Sequence, residues 1–339
     1  MPKVRVGLVG YGTIGKRVVE AVNKQPDMQV VGVVKTKPDF FAQILLSKGF
    51  ELYAASRESF ESMSKAGLEV KGVLEELLTK CDVVVDCTPE GTGAKNKPLY
   101  ERARVKAIFQ GGEKRDVAEA SFVAEVNYQE ALDKTFVRVV SCNTTGLSRT
   151  LGRLNAEFEI KKVRATIIRR GADPVETKRG PINALIPNPP HIPSHHGPDV
   201  QTVIHDLPIV TSAVIAPTTL MHLHVVNVEF AQKVTKDGVI DALSRSKRIR
   251  FVDSSNGFDS TASIIEFARD LGRARGDVPE VVVWRDSLTV MDNELYYMQA
   301  VHQESIVVPE NVDAIRAVTG LEREAARSIS LTNKTLDLE

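Results

Sequence analysis

The stretch Val4-Arg5-Val6-Gly7-Leu8-Val9-Gly10-Tyr11-Gly12-Thr13-Ile14-Gly15 decides the fold of the first half of the chain. Residues 4–9 have the pattern of a buried parallel strand, and the next six residues form a GxGxxG loop. Valines at helical spacing follow the loop, and residues 30–34 supply a second apolar strand. The order of strand, glycine loop, helix and strand predicts the first unit of an open parallel sheet.

The glycine loop is suited to a dinucleotide. The first glycine of such a loop makes a tight turn, the second lets the backbone approach a pyrophosphate, and the third allows close helix–strand packing. The helix that follows presents free N–H groups and a favourable dipole to the phosphates. We therefore predict a Rossmann-type site with contacts from Gly10, Gly12, Thr13 and Ile14.

The end of the second strand informs the choice of cofactor. An NAD-specific site places Asp or Glu there, where the carboxylate binds the ribose hydroxyls and repels a 2′-phosphate. This sequence has Lys35-Thr36-Lys37 instead. Because Lys35 and Thr36 can hold a phosphate, we predict that NADP is accepted and that NAD can also bind. Lys37 fits a solvated loop equally well.

Two more strand patterns, at residues 83–87 and 106–109, precede loops rich in small residues. Ligands of open parallel sheets bind beyond the carboxyl ends of the strands, so these loops are expected to line the cofactor cleft. Gly111 and Gly112 are the predicted contacts from the second loop. Cys81 and Cys87 fall within or beside a buried strand, and we interpret both as structural.

Cys142 occupies the position where a strand pattern ends and a helix pattern begins. Residues 137–141 read as a strand, and leucines at helical spacing start at Leu147. A thiol at a helix start faces free N–H groups and the positive end of the helix dipole, which are expected to stabilise a thiolate. The same donors can hold the oxyanion of a tetrahedral adduct. Cys142 is therefore the candidate nucleophile.

The second half of the chain has a different strand pattern. Residues 163–169, 210–216 and 220–230 read as strands without regular crossover helices between them. This arrangement favours an antiparallel or mixed sheet in a separate α+β domain. A helix near residues 260–271, strands at 281–284 and 296–301, and helices after residue 309 complete the predicted order.

His222 and His224 are the candidate acid–base groups. They lie two residues apart on a predicted strand and so share one face. Chemistry at a thiol needs a nearby base, and either imidazole can serve. The residue that is not the base is expected to be a hydrogen-bonded core histidine.

Composition excludes several classes of function. The 44 basic and 44 acidic residues cancel, which argues against a nucleic-acid or anionic-membrane partner. No apolar run approaches the length of a membrane span, and 3 cysteines fit a reducing compartment, so we predict a cytoplasmic protein. The pair His195-His196 lacks a set of Cys, Asp or Glu partners at a useful spacing, so we expect no metal site.

Several long strings resemble archaeal glyceraldehyde-3-phosphate dehydrogenases, in order along nearly the whole chain. They are Gly10-Tyr11-Gly12-Thr13-Ile14-Gly15-Lys16-Arg17, Lys35-Thr36-Lys37-Pro38-Asp39, Phe109-Gln110-Gly111-Gly112-Glu113-Lys114, Ser141-Cys142-Asn143-Thr144-Thr145-Gly146, Lys178-Arg179-Gly180-Pro181-Ile182-Asn183, Pro193-Ser194-His195-His196-Gly197-Pro198-Asp199-Val200 and Ala300-Val301-His302-Gln303-Glu304-Ser305.

The resemblance implies a nucleotide domain at residues 1–140, a catalytic domain at 141–304, and C-terminal helices from about 305 to 339 that pack on the first domain. It implies phosphorylating oxidation of glyceraldehyde 3-phosphate with inorganic phosphate and NADP or NAD, in a homotetramer. Cys142 is then the nucleophile and His222 the base, with His224 as the alternative. Ser141, Asn143, His195 and His196 are the implied substrate contacts, and Arg170 and Gln303 the further cofactor contacts.

Two alternative functions are compatible with the residues. Semialdehyde and acyl-phosphate reductases also combine a nucleotide domain with a cysteine at a helix start, and their substrates are anionic as well. A dinucleotide-binding sensor without catalysis is the alternative from another class, and it would need no reactive thiol at Cys142.

Overall fold

The computed structural model describes residues 2–110, 112–173, 176, 178 and 180–338. They form two compact units, one of Met1–Ser141 with Val308–Asp337 and one of Cys142–Val307 with Leu338–Glu339. Over these described ranges each unit is built on one eight-stranded sheet. None of the helices in the same ranges is both long and apolar enough to cross a bilayer.

The first unit alternates strands and helices. Its strands are β1 (Val4–Val9), β2 (Met28–Lys35), β3 (Leu52–Ala54), β4 (Val70–Val73), β5 (Val83–Asp86), β6 (Lys106–Gln110), β7 (Ala120–Phe122) and β8 (Phe136–Val139). The first six helices are α1 (Gly15–Asn23), α2 (Phe40–Ser47), α3 (Arg57–Lys65), α4 (Leu74–Leu78), α5 (Thr92–Ala103) and α6 (Ala124–Asn127).

The strands of this sheet run in the order β4-β3-β2-β1-β5-β6-β8-β7, and all of its pairs are parallel. The chain moves outward from β1 to β4 and then returns to pair β5 with the other side of β1. The strand order therefore reverses between β1 and β5, which is where open α/β sheets bind ligands. The predicted Rossmann-type parallel sheet is confirmed.

The segment between β2 and β5 holds α2, β3, α3, β4 and α4, which the sequence patterns do not predict. The two strands there are 3 and 4 residues long, too short to show a period. Cys81 is buried and its thiol donates to the Leu77 carbonyl at 3.2 Å, as expected of a structural cysteine. Cys87 lies just beyond the end of β5 and is half-buried.

Within the described ranges, the second unit holds the remaining strands and four α-helices. Its strands are β9 (Ile160–Arg170), β10 (Ile186–Pro187), β11 (Ile209–Ala216), β12 (His222–Phe230), β13 (Ile249–Val252), β14 (Val281–Trp284), β15 (Thr289–Met291) and β16 (Glu294–Val301). Its helices are α7 (Cys142–Glu157), α8 (His196–Val200), α9 (Lys236–Ser244) and α10 (Thr261–Asp270).

This second sheet is mixed, as predicted. Its order is β10-β11-β9-β12-β16-β14-β13, with β15 paired to β16. The central strand β12 is antiparallel to both neighbours, whereas β11 runs parallel to β9 and β13 parallel to β14. The alternation along β12 places His222 and His224 on its buried face.

Gly146 brings α7 against this sheet. A Cβ at this position would lie 2.5 Å from the Val301 side chain and 3.6 Å from the His224 ring. A glycine inside a helix costs roughly 0.5–1 kcal/mol relative to alanine. The close approach explains why glycine stands there, and it sets the first turn of α7 beside β12.

The last helices, α11 (Val308–Thr319) and α12 (Ala325–Thr335), belong to the first unit. Arg316 of α11 is fully buried and bonds to both carboxylate oxygens of Asp27 at 2.7 and 3.0 Å. Glu310 accepts a hydrogen bond from the Ala124 backbone N–H at 2.6 Å. These buried polar contacts tie residues near the end of the chain into the first sheet's surroundings.

The glycine loop yields a stability prediction. We expect Gly15→Ala to lower the free energy of unfolding by about 1–3 kcal/mol, because the added methyl would overlap the Gly10 carbonyl oxygen. Gly12→Ala is the control, since no heavy atom lies within 4 Å of a Cβ there. Urea unfolding of the cofactor-free protein measures both changes. Equal stability of the two variants would contradict the packing role of Gly15.

Candidate active site

The glycine loop joins β1 to α1 and leaves backbone exposed at the switch point of the sheet. Gly10 has a φ of +94°, and a Cβ there would lie 3.0 Å from the Cys87 backbone. Gly12 is exposed and faces open space. Thr13 and Ile14 continue into α1, which begins at Gly15. The loop therefore has the close packing and the open backbone that a pyrophosphate site requires.

The second predicted contact loop follows β6. The backbone N–H of Gly112 donates to the Gln110 carbonyl at 2.7 Å. Gly111, the other predicted residue of this loop, lies outside the described residues.

Lys35 ends β2 with its side chain only 8% exposed. Its Nζ lies 3.0 Å from Asp39, which also caps α2 by accepting from the Ala42 N–H. Thr36 is exposed. The spacing of four residues between Lys35 and Asp39 is the signal in the sequence that could have predicted this pair. A carboxylate therefore does lie near the end of β2, and it neutralises part of the charge offered to a 2′-phosphate.

Cys142 and His222 face each other in the second unit. The Cys142 Sγ lies 3.5 Å from His222 Nε2, with Cys142 at the first position of α7 and His222 at the first position of β12. The other ring nitrogen, Nδ1, accepts a hydrogen bond from the Arg170 backbone N–H at 3.0 Å. The ring is thus fixed between β9 and the sulfur.

Two opposing effects act on the pKa of the Cys142 thiol. Burial raises the pKa of the Cys142 thiol to about 11. The charges of Arg170 and Arg169 and the Asn143 backbone N–H oppose this rise in pKa but do not overcome it. Desolvation of a thiolate therefore outweighs the favourable electrostatics of the helix start, and the cysteine rests as a thiol.

His222 rests as a neutral ring. Burial lowers its pKa well below the ordinary value, and the charges of His224, Arg170 and Arg169 add to this. Because Nδ1 accepts from the Arg170 N–H, the single proton of the neutral ring sits on Nε2. That N–H points at the sulfur of Cys142.

His224 does not face the sulfur. Its Nε2 lies 2.9 Å from Asn143 Oδ1, and its Nδ1 lies 3.0 Å from Gln299 Nε2. Burial lowers the pKa of His224 to about 3. Of the two histidines left open by the sequence, His222 is the one beside Cys142, and His224 has the contacts of a hydrogen-bonded core residue.

The paired histidines at the start of α8 have different environments. The rings of His195 and His196 stack with centroids 4.0 Å apart. His195 is exposed, whereas His196 is 1% exposed and has Asn143 and Ser194 within hydrogen-bonding distance of its two nitrogens. Of the pair, His195 presents its ring to solvent.

Arg170 and Gln303, both predicted to bind the cofactor, lie together. The Arg170 Nε donates to Gln303 Oε1, and its Nη2 lies 3.0 Å from the Glu304 carboxylate. A further contact joins Arg170 to Asp173. The Arg170 side chain is only 2% exposed, so these two carboxylates compensate the buried charge.

No sequence pattern points to Gln299. Arg169 donates to Asn188, and its charge lowers the pKa of Cys142. Ser141 is half-buried, and Lys178 is exposed. Arg179, which follows Lys178 in one of the strings that carry the family resemblance, lies outside the described residues. Within the described ranges, no group of three or more His, Cys, Asp or Glu side chains is arranged to hold a metal ion.

Two protein-family models match the chain, one over the part that forms the first sheet and one over most of the part that forms the second. Residues 141–287 match the family model described as glyceraldehyde 3-phosphate dehydrogenase, C-terminal domain. Residues 4–121 match the model described as dihydrodipicolinate reductase, N-terminus. The first half is thus similar to a dinucleotide-binding domain.

Curated relatives extend the similarity to the whole length. The glyceraldehyde-3-phosphate dehydrogenase of Methanothermus fervidus is 54% identical over 98% of both chains. The enzyme of the same name from Hyperthermus butylicus is 55% identical over 100% of this chain and 98% of its own. That of Pyrococcus abyssi is 56% identical over 99% of each. The chain therefore belongs to the glyceraldehyde-3-phosphate dehydrogenase family, in its archaeal type.

Proposed function

We propose that the chain oxidises D-glyceraldehyde 3-phosphate to 1,3-bisphosphoglycerate, with Cys142 as the nucleophile. The observation that carries this proposal is the 3.5 Å approach of Cys142 Sγ to His222 Nε2 at the start of α7. The chain that contains this pair is 54% identical to the glyceraldehyde-3-phosphate dehydrogenase of Methanothermus fervidus. The semialdehyde reductase and the non-catalytic sensor lose their support, since the family resemblance covers the whole chain.

The chemistry follows from the cysteine. The thiolate adds to the aldehyde carbon, and the oxyanion that forms is held by N–H groups at the start of α7. Loss of hydride from this carbon leaves a thioester on Cys142. Inorganic phosphate attacks the thioester, releases the acyl phosphate and returns the thiolate.

The resting hydrogen bonds support a donor role for His222. To accept the thiol proton at Nε2, the ring would have to move its own proton to Nδ1, which faces the Arg170 N–H. We therefore infer that Nε2–H first stabilises the thiolate and then the oxyanion, and that the thiol proton leaves to solvent. This differs from the role of base that the sequence analysis gave to His222.

Anion binding is distributed over several residues. We propose that His195, the exposed member of the stacked pair, contacts the substrate phosphate, together with Ser141 and Asn143 beside the nucleophile. A direct contact from His196 stays a prediction. Arg169 supplies a second positive charge close to Cys142. An arginine suits the attacking phosphate because its planar guanidinium matches the geometry of the anion.

The residues of the glycine loop fit a dinucleotide, as the open backbone at Gly12 supports. We propose that residues 1–140, with the helices from 305 to 339, bind NADP or NAD through Gly10, Gly12, Thr13, Ile14, Gly112 and the predicted Gly111. The cofactor contacts of Arg170 and Gln303 that the resemblance implies stay predictions. When bound, the cofactor's nicotinamide supplies the hydride acceptor. Residues 141–304 form the proposed catalytic domain. The homotetramer and the cytoplasmic location implied by the resemblance stay predictions, and the mass of the protein in solution tests the first.

The reaction is tested by absorbance at 340 nm with glyceraldehyde 3-phosphate, with and without inorganic phosphate or arsenate. We expect phosphate-dependent reduction of the cofactor that falls more than about a thousandfold in Cys142→Ser. Cys81→Ala is the control and should retain activity, because Cys81 is a buried thiol bonded to a helix carbonyl. Reduction that does not depend on phosphate would indicate a non-phosphorylating aldehyde dehydrogenase.

The raised pKa of Cys142 predicts a pH profile for alkylation. A thiol with a pKa of about 11 is protonated at neutral pH, so the thiolate fraction rises with pH and stays incomplete through pH 9. We expect the iodoacetamide rate constant at Cys142 to increase about tenfold per pH unit from 7 to 9. Peptide mapping of the alkylated protein follows this site alone. A plateau below pH 8 would show a stabilised thiolate instead.

The Lys35–Asp39 pair predicts how cofactor preference changes. We expect Asp39→Asn to tighten NADP binding and Lys35→Met to weaken it, each by about tenfold or about 1.4 kcal/mol, with a smaller effect on NAD. Asparagine keeps the cap of α2 and removes only the charge. Calorimetric titration of both cofactors measures the dissociation constants. Glu58→Gln, an exposed acidic residue of α3, is the control. Equal shifts for NADP and NAD would contradict a role at the 2′-phosphate.

A further inference from the structure

Eight buried polar side chains form one continuous series of hydrogen bonds beneath the start of α7. We call them the α7 network, and none is more than 3% exposed. Its members are Tyr297, Thr150, Gln299, His224, Asn143, His196, Ser194 and Thr211. Only Asn143 is adjacent to Cys142, so most of this network is absent from the chemistry described above.

The first half of the network has one direction of donation. The Tyr297 hydroxyl donates to Thr150 Oγ1 at 3.1 Å, and Thr150 donates to Gln299 Oε1 at 2.9 Å. The Gln299 amide nitrogen, which can only donate, then meets His224 Nδ1 at 3.0 Å. His224 must therefore carry its proton on Nε2, and this N–H donates to Asn143 Oδ1 at 2.9 Å.

The second half continues in the same direction. The Asn143 amide nitrogen lies 3.5 Å from His196 Nε2, which must accept, so His196 carries its proton on Nδ1. That N–H donates to Ser194 Oγ at 3.1 Å, and Ser194 donates to Thr211 Oγ1 at 2.8 Å. Thr211 ends the series by donating to the Ser194 carbonyl at 3.1 Å, while its oxygen also accepts the Gly197 N–H at 2.9 Å.

The two amides and the two imidazoles are coupled. If the Asn143 amide alone were turned over, its nitrogen would face the His224 N–H and its oxygen would face the acceptor nitrogen of His196. Two buried hydrogen bonds would be lost together, at roughly 1–3 kcal/mol for each unsatisfied group. Burial lowers the pKa of both histidines to about 3, so both are neutral and each has only one proton to place.

We propose that Gln299, His224, His196 and Ser194 are positioning residues, whose single direction of hydrogen bonding holds the Asn143 carboxamide and thereby the first turn of α7 around Cys142. Asn143 is clamped from both sides, by His224 and by His196. Its backbone N–H lies at the Cys142 sulfur. The inference rests on the proposed function in taking Cys142 as the nucleophile.

The direction of the network is tested on the wild-type protein. Long-range ¹⁵N–¹H spectra of histidine-labelled protein identify which ring nitrogen carries the proton, with His224→Gln and His196→Gln used to assign the signals. We expect the Nε2–H form at His224 and the Nδ1–H form at His196, both neutral at pH 7. The opposite form at either ring, or a charged ring, would overturn the proposal.

The effect on catalysis is tested by Gln299→Glu. The ionised carboxylate has the shape of the amide but can only accept, so His224 must place a proton on Nδ1. While the ring stays neutral, its Nε2 then accepts, and Asn143 must turn or lose a bond. We expect kcat to fall about 10- to 100-fold, with the KM for glyceraldehyde 3-phosphate changed less than about threefold. The histidine spectra of the variant should show the proton of His224 on Nδ1.

Tyr297→Phe is the matched control, because it removes a buried hydrogen bond at the end of the network and leaves its direction unchanged. Its kcat should stay within about twofold of wild type. Equal losses in the two variants, or a Gln299→Glu variant that switches the His224 proton and keeps its kcat, would refute the positioning role. The Cys142→Ser assay separates this result from a failure of the proposed reaction, since it does not depend on Gln299.

Discussion

Burial around the start of α7 is the constraint from which the rest of the second unit follows. Asn143, His196, His222, His224 and Gln299 are all at most 3% exposed. A polar group left unsatisfied in such a place costs roughly 1–3 kcal/mol. Each amide and each ring nitrogen therefore has a fixed partner, and the strands β9, β12 and β16 must hold a register that supplies it. Gly146, which lets α7 approach the sheet, is needed to bring these partners within hydrogen-bonding distance.

The same burial decides the charge of the reacting groups. A helix start and two arginines favour a thiolate, yet removal of the sulfur from water has the larger effect on its pKa. Burial also disfavours the charged form of the imidazole beside it, so the pKa of His222 is lowered. The structure therefore holds Cys142 and His222 as a neutral pair. In the proposed reaction, negative charge develops first on the sulfur as a thiolate and then on the oxyanion beside the N–H groups at the start of α7.

Sequence patterns predict the fold where elements are long or carry a distinctive loop. The run from Val4 to Gly15 is enough for the parallel sheet, and the long strands of the second half are enough for the mixed one. Short strands such as Leu52–Ala54 show no period and escape detection. The contacts of the candidate site are harder to predict. Gln299 lies beside His224 because β16 pairs with β12, and a single sequence does not display strand pairing. The raised pKa of Cys142 depends on its burial, which a single sequence does not display either.

The first unit is assembled from two segments, Met1–Ser141 and Val308–Asp337, which flank Cys142–Val307 in the sequence. Buried residues of α11 bond to partners about 190 to 290 positions earlier in the chain, as Glu310 does with Ala124 and Arg316 with Asp27. During synthesis the segment Cys142–Val307, which is nearly all of the second unit, is therefore complete before α11 is made. The dinucleotide domain begins first on the ribosome but lacks α11 until nearly the whole chain is made, so the part of its parallel sheet that α11 contacts stays uncovered until then.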